Sequence, residues 1–329
     1  MKKSLYLFVL TSIFLSSCSK NCPIPEAQEE WLFVHTAESA KILNTTTIVM
    51  PLVDDIFAFT DRPYRKSYHM TGRHYADLWT HKGENCFQDD PPNAVLTWVD
   101  GGESKEIEVV ITHAVLDSTT ITYTIWDDSG IITEDIVHPS LFVDGANSIF
   151  KVGDWFVNGV IFYVADEMTD LTGDGLPNFG LIAAPTDCWT GLWQYRHQWT
   201  DFAMYFRGSI NRTGIGTGHK NTKDIIAFAE PLGAWTAAYI AKDYGSTYDW
   251  FLPSKDELKL MNQHKDVINK TAIANGGSGF ADGEFDSYYW SSTEDGNANA
   301  WGHYFAIVDH NSHLDDKGGT SYVRAVRAF

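Results

Sequence analysis

Positive charge is scarce in this chain: 24 lysines and arginines stand against 43 aspartates and glutamates, a formal charge of −19. A surface of that sign repels phosphate backbones and anionic bilayers, which excludes nucleic acid as a partner and electrostatic attachment to a membrane face. Cysteine is scarcer, four in 329 residues, and no CxxC pair or Cys/His spacing of a structural zinc site occurs. Long apolar runs are missing as well, since none reaches the ~18 residues that a membrane-spanning helix requires. Aromatic rings are what the chain has in abundance, 14% of its residues with 12 tryptophans. They can fill a sizeable core or stack on sugars, and composition does not separate the two uses. At ~150 residues per domain, the length predicts two domains.

The N-terminus reads as an export and anchoring signal. Lys2 and Lys3 precede the apolar run "LYLFVLTSIFL" from Leu5 to Leu15, too short to span a bilayer and laid out like a secretory signal. It ends in "LSSC", which resembles a bacterial lipobox. That resemblance implies cleavage after residue 17, lipidation of Cys18, and a partner in the lipid bilayer through that acylated cysteine. Cys22, Cys86 and Cys188 remain for an oxidising compartment, and the pairing Cys22 with Cys86 is favoured without being fixed by the sequence. Residues 18–30, rich in Pro and Glu, read as a tether.

Short β-branched and aromatic segments bounded by Asp, Pro and Thr then predict a β-rich module over 31–136. One helix candidate, "MTGRHYADLWTHKG", presents Tyr75, Leu78 and Trp79 on a face. The stretch resembles, through "FVHTAESAKI", "FTDRPYR" and "DPPNAVL", an uncharacterised module of secreted bacterial proteins. Pro, Gly and Asn punctuation over 137–151 predicts a linker. Residues 152–329 open with a hairpin whose turn is read at Asn158 and Gly159. Two helices follow, one interrupted at Pro231 and one starting with the capping box Ser254/Glu257.

Three motifs in this second half, "DWFLPSKDEL", "YYWSSTEDGNANAW" and "YVRAVRAF", resemble the C-terminal domain of collagen-like bacterial adhesins, also called domain of unknown function 1566. The resemblance implies an α+β chain: the β-rich module followed by a C-type-lectin-like domain with two helices and short antiparallel strands. It also implies surface binding and a ligand face built from long loops. On that face Glu294, Asp295, Asn297 and Asn299 are the candidate ligand contacts, although the Glu-Pro-Asn and Gln-Pro-Asp tripeptides of calcium-dependent sugar lectins are absent.

A second candidate is "DLTGDG". Asp170, Thr172 and Asp174 alternate as in the first half of a calcium loop, with Asn178 as a further oxygen. Position twelve is Leu181, so the EF-hand pattern fails, and the loop reads equally as an acidic surface turn. His310 and His313 in "DHNSHLDD" have metal-chelating spacing only on a helix, where a hairpin loop is expected. Ser291 and Ser292 lack the glycine elbow of a serine nucleophile. Calcium is therefore the one cofactor the sequence points to. The expected protein is a membrane-anchored lipoprotein of the outer membrane or cell surface, without catalysis, that binds an extracellular glycan or protein. The alternative is a secreted polysaccharide hydrolase using Asp282, Glu284 and Asp286.

Overall fold

A computed structural model describes residues 30–60, 64–80, 87–126, 134–147, 150–189, 196–200, 210–245, 248–283, 287–306 and 312–329. The signal, Cys18, most of the tether, Cys22, Cys86, Glu284, Asp286 and His310 lie outside the described residues.

Alternation of apolar side chains along the first half produces ten strands: β1 (Glu30–Thr36), β2 (Ser39–Asn44), β3 (Thr47–Pro51), β4 (Ile56–Thr60), β5 (Ser67–Met70), β6 (Asn93–Asp100), β7 (Glu103–Asp117), β8 (Thr120–Trp126), β9 (Ile136–Val137) and β10 (Ser140–Asn147). They form one sheet in the order β5-β4-β1-β10-β6-β7-β8-β3-β2-β9. Ser140–Asn147, in the stretch read as a linker, is thus a central strand. Successive side chains point to opposite faces, which sends Phe33, Met50, Leu96, Ile111, Tyr123 and Val143 inward, all buried. The inner face is covered by α1 (Gly72–Asp77). Tyr75, Leu78 and Trp79 are buried there as the sequence predicts, and the Trp79 indole donates to the Ile111 carbonyl at 2.9 Å. The edge strand β9 returns against β6, so the sheet curls around its own core.

In the second half, β11 (Trp155–Phe156), β12 (Gly159–Thr169), β13 (Asn178–Ala183) and β19 (Val326–Ala328) make a four-stranded sheet. A five-stranded sheet contains β14 (Arg196–Gln198), β15 (Tyr288–Asp295), β16 (Asn299–Tyr304), β17 (Ser312–Asp316) and β18 (Thr320–Tyr322), in the order β14-β18-β15-β16-β17. Four helices pack beside them: α2 (Gly218–Ala229), α3 (Ala237–Lys242), α4 (Lys255–Gln263) and α5 (Lys265–Ala274).

The expected fold class is corrected by this architecture. The described chain is β-rich, 44% strand and 18% helix, in three sheets with five short helices, and a C-type-lectin-like domain with two helices is not what it forms. The physical reason is that the motifs encode local pieces, whereas sheet membership is set by pairing at long range. The strand β13 finds β19, with Leu181 opposite Ala328, and β15 touches β18 in parallel at Tyr289 and Tyr322. Helix boundaries move for local reasons. A 3-10 turn, Glu230–Leu232, follows α2 and carries Pro231, and Gly233 behind it is left-handed. The predicted helix from Ser254 ends at His264, where α5 begins.

The hairpin turn also sits one residue earlier than read. Val157 and Asn158 both have positive φ, 43° and 61°, and Phe156 pairs with Gly159. That is the two-residue turn of matching twist. Gly159 is needed in the strand, because a Cβ there would lie 2.2 Å from Ile182 Cγ2 and 2.7 Å from the Ala183 carbonyl.

Aromatic rings join the halves. Phe150 packs on Phe156, Phe179 and Phe329 at centroid distances of 5.0, 5.1 and 4.9 Å, and Phe179 meets Tyr68 of β5 at 4.9 Å.

Candidate functional site

The polar residues of "YYWSSTEDGNANAW" are mostly internal. The Ser291 hydroxyl donates to the Trp301 carbonyl at 2.7 Å, and the Thr293 hydroxyl donates to the Arg212 carbonyl at 2.8 Å while accepting from the Lys255 amide. Asn221 donates to Ser292 at 3.2 Å. Tyr289 and Trp290 are fully buried, and the Trp290 indole donates to the His197 carbonyl. Trp301 is half-buried, its outer ring covered by the Lys255 ammonium at 3.6 Å.

Among the four ligand candidates, Glu294 faces inward. It is 4% exposed, accepts the Ile210 amide at 3.0 Å and pairs at 2.8 Å with the Lys317 ammonium, itself 3% exposed. Lys317 also donates to the carbonyls of Gly296 and Asn297, so it holds the turn between β15 and β16 from below. Asp295, opposite Asn299, and Asn297 stand at the exposed tip. The structure therefore separates Glu294 from the other three.

The "DLTGDG" loop is held by its own backbone. Asp170 accepts amides of Thr172, Gly173 and Gly175 at 3.1, 2.6 and 2.9 Å, Asp174 accepts Leu176, and Asn178 accepts Leu171. Desolvation opposes the shift, but together the amides of Gly175, Gly173, Thr172 and Asp174 outweigh it and hold the Asp170 carboxyl below its usual range. Gly173 and Gly175, both at positive φ, turn those N–H groups inward. Among the described residues no group of three His, Cys, Asp or Glu is arranged to hold a metal ion.

Above this loop lies His219, in the first turn of α2 and 3% exposed. One ring nitrogen lies 2.6 Å from the Thr172 carbonyl and the other 2.7 Å from Asp249. Both partners only accept, so the geometry calls for the doubly protonated imidazolium. Burial lowers the pKa, but the bonds to Asp249 and Thr172 outweigh it and raise it above 6.5. Beside it, buried Glu257 accepts the amides of Gly216, Gly218 and Ser254 and so caps α2 and α4 together. Burial pushes its carboxyl up to about 7 against those donors. The turn that leads into α2 is accordingly a packed joint.

Arg324 of the terminal motif pairs with Asp187 at 2.7 Å, completely buried, whereas Arg327 donates to the Val157 carbonyl and lies over the Tyr248 ring. Cys188 is a free, buried thiol, pushed up to about 12 by burial and by neighbouring Asp187. Asp282 is exposed.

The least satisfied surface lies elsewhere, on the outer face of the ten-stranded sheet. Register places Phe57, Val34, Phe142, Val95 and Glu108 in one row across five strands. Beside it Leu32 opposes Asp144, and Val110 opposes both Asn93 and Trp126. Leu32, Val95, Val110, Phe142 and Trp126, with Asn93, Glu108 and Asp144, line an open groove of about 700 Å3, and Val34 and Phe57 continue the row beyond it. Trp126 stands at its end, 63% exposed. Outward positions on an antiparallel sheet are ordinarily polar, and a contiguous apolar patch marks an interaction site. The signal was present in the sequence: "WLFV" and "IFAF" carry apolar residues at both alternating sets of positions.

No protein-family model matches this chain, and no curated protein matches it; the adhesin-domain resemblance therefore has no family match behind it. Among solved structures, a fimbrial protein from Bacteroides ovatus is similar at 12% identity and a TM-score of 0.37. The match covers 72% of this chain and 64% of that protein, less than two thirds of its length. Likeness this distant assigns neither a fold family nor a role. Among the described residues no helix is long and apolar enough to cross a membrane.

Proposed function

We propose that this protein is a lipid-anchored cell-surface binding protein, attached through acylated Cys18 and engaging an extracellular polymer, glycan or protein, without catalysis. The observation that carries the reading is the apolar outer face of the ten-stranded sheet, opened into a groove beside Trp126. A soluble domain with no partner gains nothing from such a patch, which invites aggregation. The buried serines, threonine and Glu294 of the second half support a scaffold role for that half. The lipobox-like "LSSC" supports the anchor.

Two variants test the two parts. Cys18→Ser moves the protein from the membrane fraction to the soluble one; retention in membranes overturns the anchor. Trp126→Ala lowers adhesion of cells displaying the protein to immobilised extracellular glycans and proteins; adhesion equal to wild type overturns the groove as the binding surface.

A further inference from the structure

The same groove also carries information about what it binds. Its floor is aliphatic as much as aromatic: Leu32, Val95 and Val110 with Phe142, all half-buried. A sugar stacks on ring faces, and among the described residues lining the groove only Trp126 presents a largely free one. Side chains of a polypeptide, by contrast, fit between rows set by strand spacings of ~4.8 Å. The charged residues among those described along the groove are Glu108 and Asp144. Both are exposed, and among the described residues no side chain bonds to either. They are separated by the apolar strip of Val95 and Phe142, which oppose each other across β6 and β10. Trp126 at the end offers its indole face to a cation.

Resting on the binding reading above, we infer that the partner is an apolar polypeptide segment flanked by lysine or arginine, its apolar side chains on the Leu32–Val95–Val110–Phe142 floor and its cations on Glu108, Asp144 and Trp126. Charge complementarity selects this class: two unpaired carboxylates on a chain of −19 repel an acidic partner and attract a basic one.

The test is calorimetric titration of the full chain carrying Cys18→Ser, which keeps it free of lipid, with three probes. These are a synthetic amphipathic leucine–lysine peptide, its leucine–glutamate counterpart and a chito-oligosaccharide. The expected result is one-to-one binding of the leucine–lysine peptide and none of the glutamate peptide. That binding falls about tenfold in Trp126→Ala and again in Glu108→Gln with Asp144→Asn, about 1.4 kcal/mol each. A control pair of exposed acids outside the groove, Asp243→Asn with Asp266→Asn, leaves it unchanged. Equal loss in the control pair, or no loss in the groove variants, overturns the inference, because the attraction is then general electrostatics. Binding of the chito-oligosaccharide alone, lost in Trp126→Ala, overturns the polypeptide class while leaving the groove a binding site. No binding of any probe, with cell adhesion also indifferent to Trp126→Ala, overturns both readings. Thermal unfolding of each variant checks that these exposed substitutions leave the fold intact.

Discussion

Glu294 illustrates how a residue type misleads when its neighbours are unknown. A carboxylate in a loop-like, oxygen-rich stretch invites a ligand role, and the opposite fate, burial against Lys317, depends on a residue 23 positions away. Two charges out of water need each other, and removing one leaves the other without solvation. Lys317→Met should therefore destabilise the fold by about 3–5 kcal/mol. Adding Glu294→Gln should recover most of that loss, since the amide oxygen still accepts from Ile210 and no charge remains. Urea unfolding of both variants measures it, and a double variant as unstable as the single would refute the pairing energetics. Ser254 and Glu257 behave differently: their capping box is written in residues three positions apart and forms as read, with the Glu257 amide 3.3 Å from Ser254 Oγ.

Helix starts and strand ends show the same division between local and distant causes. The start of α2 at Gly218 has no side-chain cap of its own; Glu257, on another helix, supplies the acceptor. Such a start is invisible to a scan for N-cap residues. Gly302 has a comparable cause, since a Cβ in that part of β16 would lie 2.3 Å from the Tyr289 carbonyl and 2.5 Å from the Tyr288 ring. The latch between α2 and the Asp170 loop yields a pH prediction. The His219 pKa is raised on folding, so its contribution is complete below the unfolded value near 6.5 and is lost as pH climbs through the folded value. Asp249 is shifted down, chiefly by its bond to His219, so its share is lost only as pH falls below about 3.8. Hydrogen-exchange protection of the Gly173 and Gly175 amides should accordingly fall as pH rises above about 6.5. His219→Gln should flatten that dependence, and an unchanged profile in the variant would assign the effect to another group.

At the level of the folded chain, the two halves share a wall of rings. Phe150, Phe156, Phe179 and Phe329 meet around the join and reach Tyr68 on β5. Electrostatics crosses it too: burial pushes the Asp77 carboxyl of α1 up to about 6, opposed by Arg327 of β19 and by Arg73. Coupling of this kind should make the halves unfold together in wild type. Phe150→Ala, which removes a buried ring at roughly 3–5 kcal/mol, combined with Phe179→Ala, which removes a half-buried one, should split the calorimetric endotherm into two transitions. A single transition in the double variant would mean that the halves are coupled elsewhere.

Strand content, the face of α1, the break after α2 and the Ser254 cap were legible from residue order, because each arises from interactions within a few positions of the chain. The same holds for the acidic charge and for the lipobox-like segment that ends at Cys18. The joining of hairpins into three sheets, the placing of Ser140–Asn147 at the centre of one of them, the burial of Glu294 against Lys317 and the alignment of Phe57, Val34, Phe142, Val95 and Glu108 into a row all required distant strands to meet. Local propensity has no access to those encounters. They follow from which apolar faces can be covered at once, a condition that exists only when the entire chain is packed.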